Sequence, residues 1–473
     1  MRKSKKQQKK RPDGAQQEMF GRDGQARPQG GPGVPGERRE SAVELRSRLT
    51  GQLASTEQLL EEIASEKNLG EAYAQVRLNG GGAGIDGTDV ETFGQWLRQN
   101  LGPFRESLLK ETHKVSAVRK AEIPKPNGGV RTLGIPTVSD RVVQQAIHQV
   151  LNRYYDPYFS ESSYGFRPGR GAHDAITAAT RHIESGLEWV VDIDLEKFFD
   201  KINHDRLMQR LGKGIGDKRL LRLINNFLKA GLMSEGLTEQ RTAGTPQGGP
   251  LSPLLSNVVL DELDRELEKR GHSVCRYADD CNIYVGSEAA GRRVMASVIK
   301  FIEGKLKLRV NREKSGVRRC SQVKFLGYTL LEGGKIRVAD KSTDRLKEKV
   351  RQITQRNRGV KFEQIIKELN TAIIGWAAYF HKANSWLGDY RHIDGWIRRK
   401  LRCHQLKQSG RKYSTYKMLR QLGGEEQASW NAVMYSQGWW AMSLKPVVSK
   451  SMGIGWFEQQ GLRSVYAELT RKR

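Results

Sequence analysis

The sequence has few cysteines and no long apolar run, and both absences narrow the class of protein. Its 473 residues include four cysteines, none of them in a C-x-x-C spacing: Cys275, Cys281, Cys320 and Cys403. This count argues against a zinc site or a disulfide framework and fits a reducing cytoplasm. No apolar segment approaches the roughly 18 residues of a membrane helix, so we expect no membrane span. The basic N-terminus is not followed by an apolar segment, so we expect no secretory signal.

Acidic residues are outnumbered by basic ones. The chain has 81 Lys and Arg against 53 Asp and Glu, for a net charge of +28. The excess lies mainly at the two ends, since residues 1–40 carry 11 basic and 5 acidic residues and residues 341–473 carry 26 and 10. A basic field of this size predicts a polyanionic partner such as a nucleic acid.

Composition changes sharply near both ends of the chain. Residues 1–40 are rich in Gln, Gly, Pro, Lys and Arg and almost lack apolar residues, so we expect a disordered basic tail. An apolar helical period begins near Ser41. From about Asp344 the pattern is wholly helical, and the apolar residues of Phe362–Phe380 follow one helix face. Seven of the nine tryptophans lie after residue 370, so a basic, aromatic, all-α domain is expected there.

The centre of the chain mixes strands and helices. Ala121–Lys125 and Val130–Ile135 flank an Asn-Gly turn and predict a β-hairpin. The apolar period of Val142–Tyr155 predicts a helix, and further helices are expected through Arg206–Leu232. Cys275–Val285 alternates as a strand, a turn and a second strand. The predicted class is therefore α+β in the centre, followed by an all-α domain.

Two acidic sites could form one metal centre. Tyr277-Ala278-Asp279-Asp280 lies between β-prone segments, which predicts two adjacent carboxylates in a tight turn. Such a pair alone is more often a solvated turn, but hard oxygen ligands also suit Mg²⁺. Asp194 ends the apolar strand that begins at Trp189, where a carboxylate needs a partner or a metal; Asp192, on the same side, is its main competitor. Carboxylates from two elements that bridge two metals are what an in-line phosphoryl displacement needs.

Three segments in this order resemble the palm motifs of reverse transcriptases. They are the strand that ends at Asp194, the segment Thr245–Asn257 and the Tyr277–Asp280 turn. The resemblance implies that Asp194, Asp279 and Asp280 are the catalytic carboxylates and bind two Mg²⁺ ions. It also implies a right-hand polymerase fold, with an antiparallel sheet in the fingers and palm and an all-α thumb.

The same resemblance implies roles for five further residues. Phe199 matches the residue that selects deoxynucleotides by blocking a 2′-hydroxyl, although it could be a plain core phenylalanine. Gln247 matches a nucleotide-contacting glutamine. Lys125 and Arg131 match fingers residues that hold the triphosphate; otherwise they are ordinary surface cations. Lys314 resembles a proton donor to pyrophosphate, with a solvated loop lysine as the alternative.

Other segments are similar to group II intron-encoded reverse transcriptase/maturases. Ile123–Pro136 and Ser163–Arg170 are typical of that family, and the Gly82–Gly87 loop matches its template-contacting N-terminal extension. Ile374–Phe380 looks like the maturase-specific thumb, domain X. The resemblance implies five segments: a basic tail (1–40), the N-terminal extension (41–112), fingers and palm (113–340), the thumb/maturase domain (341–420) and a small basic C-terminal DNA-binding segment (421–473).

The resemblance also implies partners and a location. Expected partners are a group II intron RNA, a target DNA with its primer strand, and deoxynucleoside triphosphates; the oligomeric state is left open. The expected location is the bacterial cytoplasm, as a ribonucleoprotein at the nucleoid. No cysteine or histidine follows residue 420, so we expect no endonuclease domain of the paired-cysteine type and a primer supplied from elsewhere.

Two other functions remain as alternatives. One is a splicing factor whose polymerase is vestigial, and the intact Asp194, Asp279, Asp280 and Phe199 argue against it. The other is a reverse transcriptase of the retron or phage-defence type, and the thumb and N-terminal extension argue against it.

Overall fold

A computed structural model of the chain describes residues 56–124, 130–234, 237–239, 243–245 and 248–471. The described residues form two compact units, which meet in the sequence between Arg319 and Cys320. The predicted basic tail, 1–40, and the helical period that begins near Ser41 lie outside the described residues. None of the helices in the described ranges combines the length and the apolar character needed to cross a membrane.

The unit that ends at Arg319 mixes helices and strands. Its helices are α1 (Leu59–Ile63), α2 (Glu66–Asn79), α3 (Val90–Leu109), α4 (Val138–Tyr155), α5 (Ala172–Glu184), α6 (Phe198–Lys201), α7 (His204–Leu211), α8 (Lys218–Lys229), α9 (Ser252–Lys269) and α10 (Glu288–Phe301). Its strands are β1 (Val118–Pro124), β2 (Val130–Ile135), β3 (Trp189–Ile193), β4 (Leu232–Ser234), β5 (Leu237–Glu239), β6 (Ser273–Tyr277), β7 (Asp280–Val285) and β8 (Gly316–Arg319). The predicted α+β class is confirmed.

The first sheet has the strand order β2-β1-β4-β5. The predicted hairpin is confirmed as the antiparallel pair β1 and β2, in which Pro124 faces Val130. The prediction of helix up to Leu232 is wrong at its end. Helix α8 stops at Lys229, and β4 pairs in parallel with β1 from Leu232 onward. The amide of Val118 donates to the carbonyl of Gly231 at 2.8 Å, so pairing with β1 begins two residues after the end of α8.

The second sheet of this unit has the order β6-β7-β3-β8, and all of its pairs are antiparallel. Alternating apolar residues bury its interior positions, among them Val191, Ile193 and Ile283. Helices α5, α9 and α10 pack against this sheet. The predicted strand–turn–strand at Cys275–Val285 is confirmed by β6 and β7, which are both covered by helices.

The unit that starts at Cys320 is largely helical. It opens with a three-stranded sheet of β9 (Lys324–Phe325), β10 (Tyr328–Leu330) and β11 (Ile336–Val338). The helices are α11 (Asp340–Ile353), α12 (Phe362–Tyr379), α13 (Asp389–Gln408), α14 (Lys412–Gln421), α15 (Glu426–Tyr435), α16 (Gly438–Met442), α17 (Pro446–Ser451), α18 (Ile454–Gln459) and α19 (Val465–Thr470). The predicted change to wholly helical structure is confirmed and occurs at Asp340.

The final helix is tied into this helical unit. Helix α19 packs against α12 and α13. The buried carboxylate of Asp394, on α13, accepts hydrogen bonds from the Ser464 hydroxyl at 2.6 Å and from the amides of Val465 at 2.7 Å and Tyr466 at 3.2 Å. It therefore satisfies amides at the N-terminus of α19, where a helix has unpaired donors.

Candidate active site

The acidic tetrapeptide forms a two-residue hairpin turn. Tyr277 faces Asp280 across the β6–β7 pair, which leaves Ala278 and Asp279 as the turn. Ala278 has a φ of +57°, a left-handed conformation that costs free energy for a residue with a Cβ atom. Gly165 packs directly on the turn, since a Cβ atom added to it would lie 2.3 Å from the amide nitrogen of Ala278. The turn therefore depends on support from its surroundings.

The strand register brings the third carboxylate to this turn. In the β3–β7 pair, Asp192 faces Asn282 and Ile193 faces Cys281. Asp194 is the next residue of the chain, so it leaves β3 beside Asp280, the first residue of β7. Residues far apart in sequence are thus neighbours at one end of the sheet.

The backbone of Asp194 is held by a later segment. Its amide donates to the Ser315 hydroxyl at 2.9 Å, and its carbonyl accepts from the amide of Asn311 at 2.8 Å. The same segment carries Lys314, whose Nζ lies 3.4 Å from Oδ2 of Asp194. Lys314 therefore belongs to the acidic site, as a cation that partly neutralises it.

Asp192 has a different partner. Its Oδ2 accepts a hydrogen bond from Nη1 of Arg318, on the neighbouring strand β8, at 3.1 Å. Burial raises the pKa of Asp192, while Arg318 lowers it and Asp194 raises it further. Because its carboxylate is already paired with a guanidinium, Asp192 is the weaker of the two candidates for a metal ligand.

The electrostatics of the site show an excess of negative charge. Although Asp280 begins its strand at the surface, loss of hydration around its carboxyl raises its pKa to about 7, and the charges of Asp279, Asp192 and Asp194 add to this rise. Lys314 acts in the opposite direction. The Asp280 carboxyl resists ionisation because it has lost hydration and its neighbours are also negative, and a bound cation would stabilise its charged form.

The donor set fits a hard divalent cation, although the side chains do not yet converge. Over the part of the chain that the structure describes, no three Asp, Glu, His or Cys side chains are gathered tightly enough to enclose an ion. The charges of Asp279 and Asp194 nevertheless raise the pKa of Asp280, and carboxylate oxygen is the ligand that Mg²⁺ prefers.

Phe199, the predicted sugar-selecting residue, lies next to Thr245, the first residue of the glycine-rich loop (residues 245–251). After Lys197, which has a φ of +48°, the short helix α6 carries two phenylalanines. Phe198 is 2% exposed and belongs to the core, whereas Phe199 is only partly buried. The carbonyl of Phe199 accepts from the amide of Thr245 at 2.7 Å, so the two predicted nucleotide-binding segments are in contact.

The side chains of three predicted nucleotide-binding residues lie outside the described part of the structure. Lys125 and Gln247 lie outside the described residues. Arg131 is described only as part of β2, where its backbone faces Ile123. Their roles stay predictions.

A buried ion pair next to the turn was not predicted from the sequence. Arg276, one residue before the tetrapeptide, is completely buried and binds the equally buried Asp264 through Nε at 2.7 Å and Nη2 at 2.6 Å. The available signal was a single arginine inside a strand of buried residues, since a charge in such a position requires a counter-charge.

Two family models match parts of this chain. A family model described as reverse transcriptase (RNA-dependent DNA polymerase) matches residues 123–330, and one described as the group II intron, maturase-specific domain matches residues 343–423. Protein YkfC of Escherichia coli is 32% identical over 317 residues, which cover 58% of this chain and 83% of that protein. The partial Cas6-RT-Cas1–Cas2 complex is a similar solved structure, with a TM-score of 0.34 and 26% identity over 52% of this chain and 42% of that one.

The group II intron-encoded protein LtrA of Lactococcus lactis subsp. cremoris is 29% identical over 315 residues. The match covers 53% of this chain and 52% of LtrA, so the chain spans about half the length of that relative. A reverse transcriptase domain joined to a maturase-specific domain, on an α+β unit followed in the sequence by a helical unit, defines an RNA-directed DNA polymerase. The chain belongs to the bacterial-type family of group II intron-encoded reverse transcriptases and maturases.

Proposed function

We propose that this protein copies a group II intron RNA into DNA at a new target site and also binds that RNA to promote its splicing. The β3–β7 register is the observation that carries the polymerase part, because it brings Asp194 beside the Asp279–Asp280 turn. Three carboxylates from two adjacent strands are the arrangement that nucleotidyl transfer requires.

Asp194, Asp279 and Asp280 are proposed to hold two Mg²⁺ ions, with Asp192 kept away from them by Arg318. Bound there, the ions would lower the pKa of the primer 3′-hydroxyl and neutralise charge on the triphosphate. The chain's own contribution is to fix the carboxylates: Ser315 and Asn311 hold the backbone of Asp194, and the hairpin turn holds Asp279.

The incoming deoxynucleotide is proposed to lie between the fingers and the glycine-rich loop. Lys125 and Arg131 would bind its triphosphate, since charged hydrogen bonds to phosphate are strong. Gln247 would contact the nucleotide, and Phe199 would exclude a 2′-hydroxyl. The contact between Phe199 and Thr245 supports a shared nucleotide site. Lys314 would supply a proton to the leaving pyrophosphate from its position beside Asp194.

For the splicing function, α13 is the proposed contact surface for intron RNA. Among the described residues, no carboxylate forms a salt bridge with Arg398, Arg399, Lys400 or Arg402. Arg399 stacks on the Trp440 ring at 3.7 Å. Burial, and then the charges of Arg398 and Arg399, lower the pKa of Arg402. Clustered cations without counter-charges are stabilised by a polyanion, and exposed rings add stacking on unpaired bases.

We also propose that residues 421–473 bind the target DNA and its primer strand, in a bacterial ribonucleoprotein at the nucleoid. Exposed aromatic and basic side chains of this segment support the assignment: Trp430, Trp440, Lys445 and Lys450. A gel-shift titration with single-stranded DNA should weaken for Lys445→Gln/Lys450→Gln, and equal affinity of this variant would contradict the assignment.

The central experiment separates the two functions. Asp279→Ala should abolish primer extension on an RNA template and leave splicing of the intron nearly unchanged, because the RNA performs the splicing chemistry. Asp205→Ala, which removes an exposed carboxylate on α7, is the matched control and should keep both activities. If wild-type protein extends no primer but promotes splicing, the vestigial-polymerase alternative is correct; if Asp279→Ala is folded yet cannot splice, the two-function proposal is wrong.

A second experiment tests the RNA surface. Arg398→Gln/Arg402→Gln should weaken intron binding and reduce the salt dependence of the affinity, since about one fewer counterion is released for each lost phosphate contact. Arg292→Gln, which removes an exposed guanidinium already paired with Glu288, is the control and should bind normally. An unchanged affinity and salt slope for the double variant would exclude this surface.

A further inference from the structure

Arg276 is sealed in the protein directly before the catalytic turn. The residue is 0% exposed and cannot touch a substrate. Its guanidinium has five N–H donors, and five contacts use them. Two go to Asp264; the others go from Nη1 to Oδ1 of Asn257 at 3.1 Å, from Nη1 to the carbonyl of Ala278 at 2.8 Å, and from Nη2 to the hydroxyl of Ser163 at 2.7 Å.

These partners come from three different parts of the unit. Asp264 and Asn257 lie on α9, seven residues apart and therefore on one face of the helix. Ser163 lies in the segment before α5, and the backbone of Arg276 also pairs with that segment, donating to the Ser162 carbonyl at 2.8 Å and accepting from the Tyr164 amide at 2.9 Å. One side chain thus joins a helix, a loop and the hairpin turn.

The contact with Ala278 acts on the position of Asp279. The carbonyl that Arg276 holds belongs to the peptide that links Ala278 to Asp279, so it fixes the plane from which the Asp279 side chain projects. Ala278 occupies the left-handed region, which an alanine does not prefer, and needs such a constraint.

The same network reaches the helix that follows the glycine-rich loop in the sequence. Helix α9 begins at Ser252, directly after the glycine-rich loop that contains Gln247. Asn257, one turn into α9, donates from Nδ2 to the carbonyl of Gly165 at 2.9 Å, and Gly165 is the residue that packs on the turn. Helix α9 and the β6–β7 turn, which carries the proposed metal ligands, are therefore both bound by the same buried residue, Arg276.

We propose that Arg276 is a positioning residue, which with Asp264 and Asn257 sets the Asp279 carboxylate relative to helix α9. The inference rests on the proposed polymerase site and adds to it a residue that supports the proposed catalytic carboxylates from behind the turn. It attributes part of the catalytic rate to a buried arginine that contacts neither metal nor nucleotide.

The test uses two variants of the full-length protein in single-nucleotide incorporation. Arg276→Met/Asp264→Leu removes both charges together, which avoids leaving one buried charge unpaired. Arg276→Lys keeps a charge beside Asp264 but has a single nitrogen, so it cannot also serve Asn257, Ser163 and the Ala278 carbonyl. We expect kcat to fall about 100-fold in both, as a displacement near 1 Å at a reacting centre can cause. We also expect the Mg²⁺ concentration for half-maximal rate to rise, with little change in KM for the nucleotide.

A stability control separates positioning from folding. Asp217→Asn alters another buried carboxylate of the same unit, which accepts the amide of Leu60 at 3.0 Å and pairs with Arg219. It should lower the melting temperature and leave kcat and the Mg²⁺ requirement unchanged. The inference is overturned if the double variant folds and has the same kcat and the same Mg²⁺ requirement as wild type. If the double variant does not fold, kcat and the Mg²⁺ requirement of Arg276→Lys decide instead. Failure of the proposed polymerase site itself would look different, because wild-type protein would then extend no primer.

Discussion

Nζ of Lys314 lies 3.4 Å from Oδ2 of Asp194, and the lysine side chain is 67% exposed. An exposed ion pair of this kind contributes at most about 1 kcal/mol, so the proposed metal and triphosphate would separate it at little cost. We therefore expect Lys314→Gln to slow the reaction and also to make Mg²⁺ bind more readily. If Lys314 is the proton donor, as proposed, its loss should lower kcat by roughly 100-fold. Loss of the competing cation should lower the Mg²⁺ concentration needed for half-maximal rate.

Steady-state incorporation at a series of Mg²⁺ concentrations measures both effects at once. Lys305→Gln, which removes another exposed lysine of the same unit, is the control and should change neither quantity. A Lys314→Gln variant with wild-type kcat would reduce Lys314 to a solvated loop residue.

Phe198 and Phe199 offer a matched pair for the sugar-selection prediction. Phe199→Val should raise ribonucleotide incorporation relative to deoxynucleotide incorporation by roughly one to two orders of magnitude, because a partly buried ring beside the nucleotide loop is removed. Phe198→Leu changes the core ring instead and should cost about 1–2 kcal/mol of stability without changing selectivity. Competition between the two nucleotide types on one template measures the ratio. Equal ratios for wild type and Phe199→Val would contradict the role given to Phe199.

Much of the fold could be predicted from the sequence because its local signals agree with the final structure. The β1–β2 hairpin and the β6–β7 turn were predictable because each is formed by neighbouring segments. Leu232 was misassigned because its neighbours continue an apolar helical pattern, and only the distant strand β1 decides that the chain becomes β4. Long-range pairing overrides local propensity at such positions.

The carboxylates proposed to be catalytic could be predicted only as members of a family pattern. Their approach to one another depends on the β3–β7 register, which the spacing of Asp194 and Asp280 in the sequence does not contain. The partner of Asp192, Arg318, was equally hidden, because β8 joins the sheet from a later part of the chain. The buried partners of Arg276 come from α9 and from Ser163, and no local pattern pairs them.

Asp280 should make the metal-free protein less stable as pH rises. Its pKa in the folded protein, about 7, is above the ordinary value of 3.8, so the folded state holds its proton longer than the unfolded state does. Stability attributable to this group is therefore full below about pH 4 and is lost as pH rises through 7. Asp280→Asn should accordingly melt at a higher temperature than wild type in EDTA at pH 8, with a smaller difference at pH 5. Added Mg²⁺ should raise the melting temperature of wild type more than that of the variant, and a variant no more stable than wild type at pH 8 would refute this account.

Asp394 is expected to hold the last helix in place. Its carboxylate is 6% exposed and receives the hydroxyl of Ser464 and the amides of Val465 and Tyr466, so Asp394→Ala leaves three donors at the start of α19 without their acceptor. We expect a loss of about 2–3 kcal/mol in the free energy of unfolding, measured by urea denaturation. Asp389→Ala, an exposed carboxylate in the first turn of the same helix, should cost well under 1 kcal/mol. Because α19 packs on α12 and α13, the loss should also increase cleavage by trypsin between residues 460 and 471. Equal stability and equal cleavage in Asp394→Ala and wild type would mean that α19 is held by its apolar contacts alone, through Val465 and Leu469.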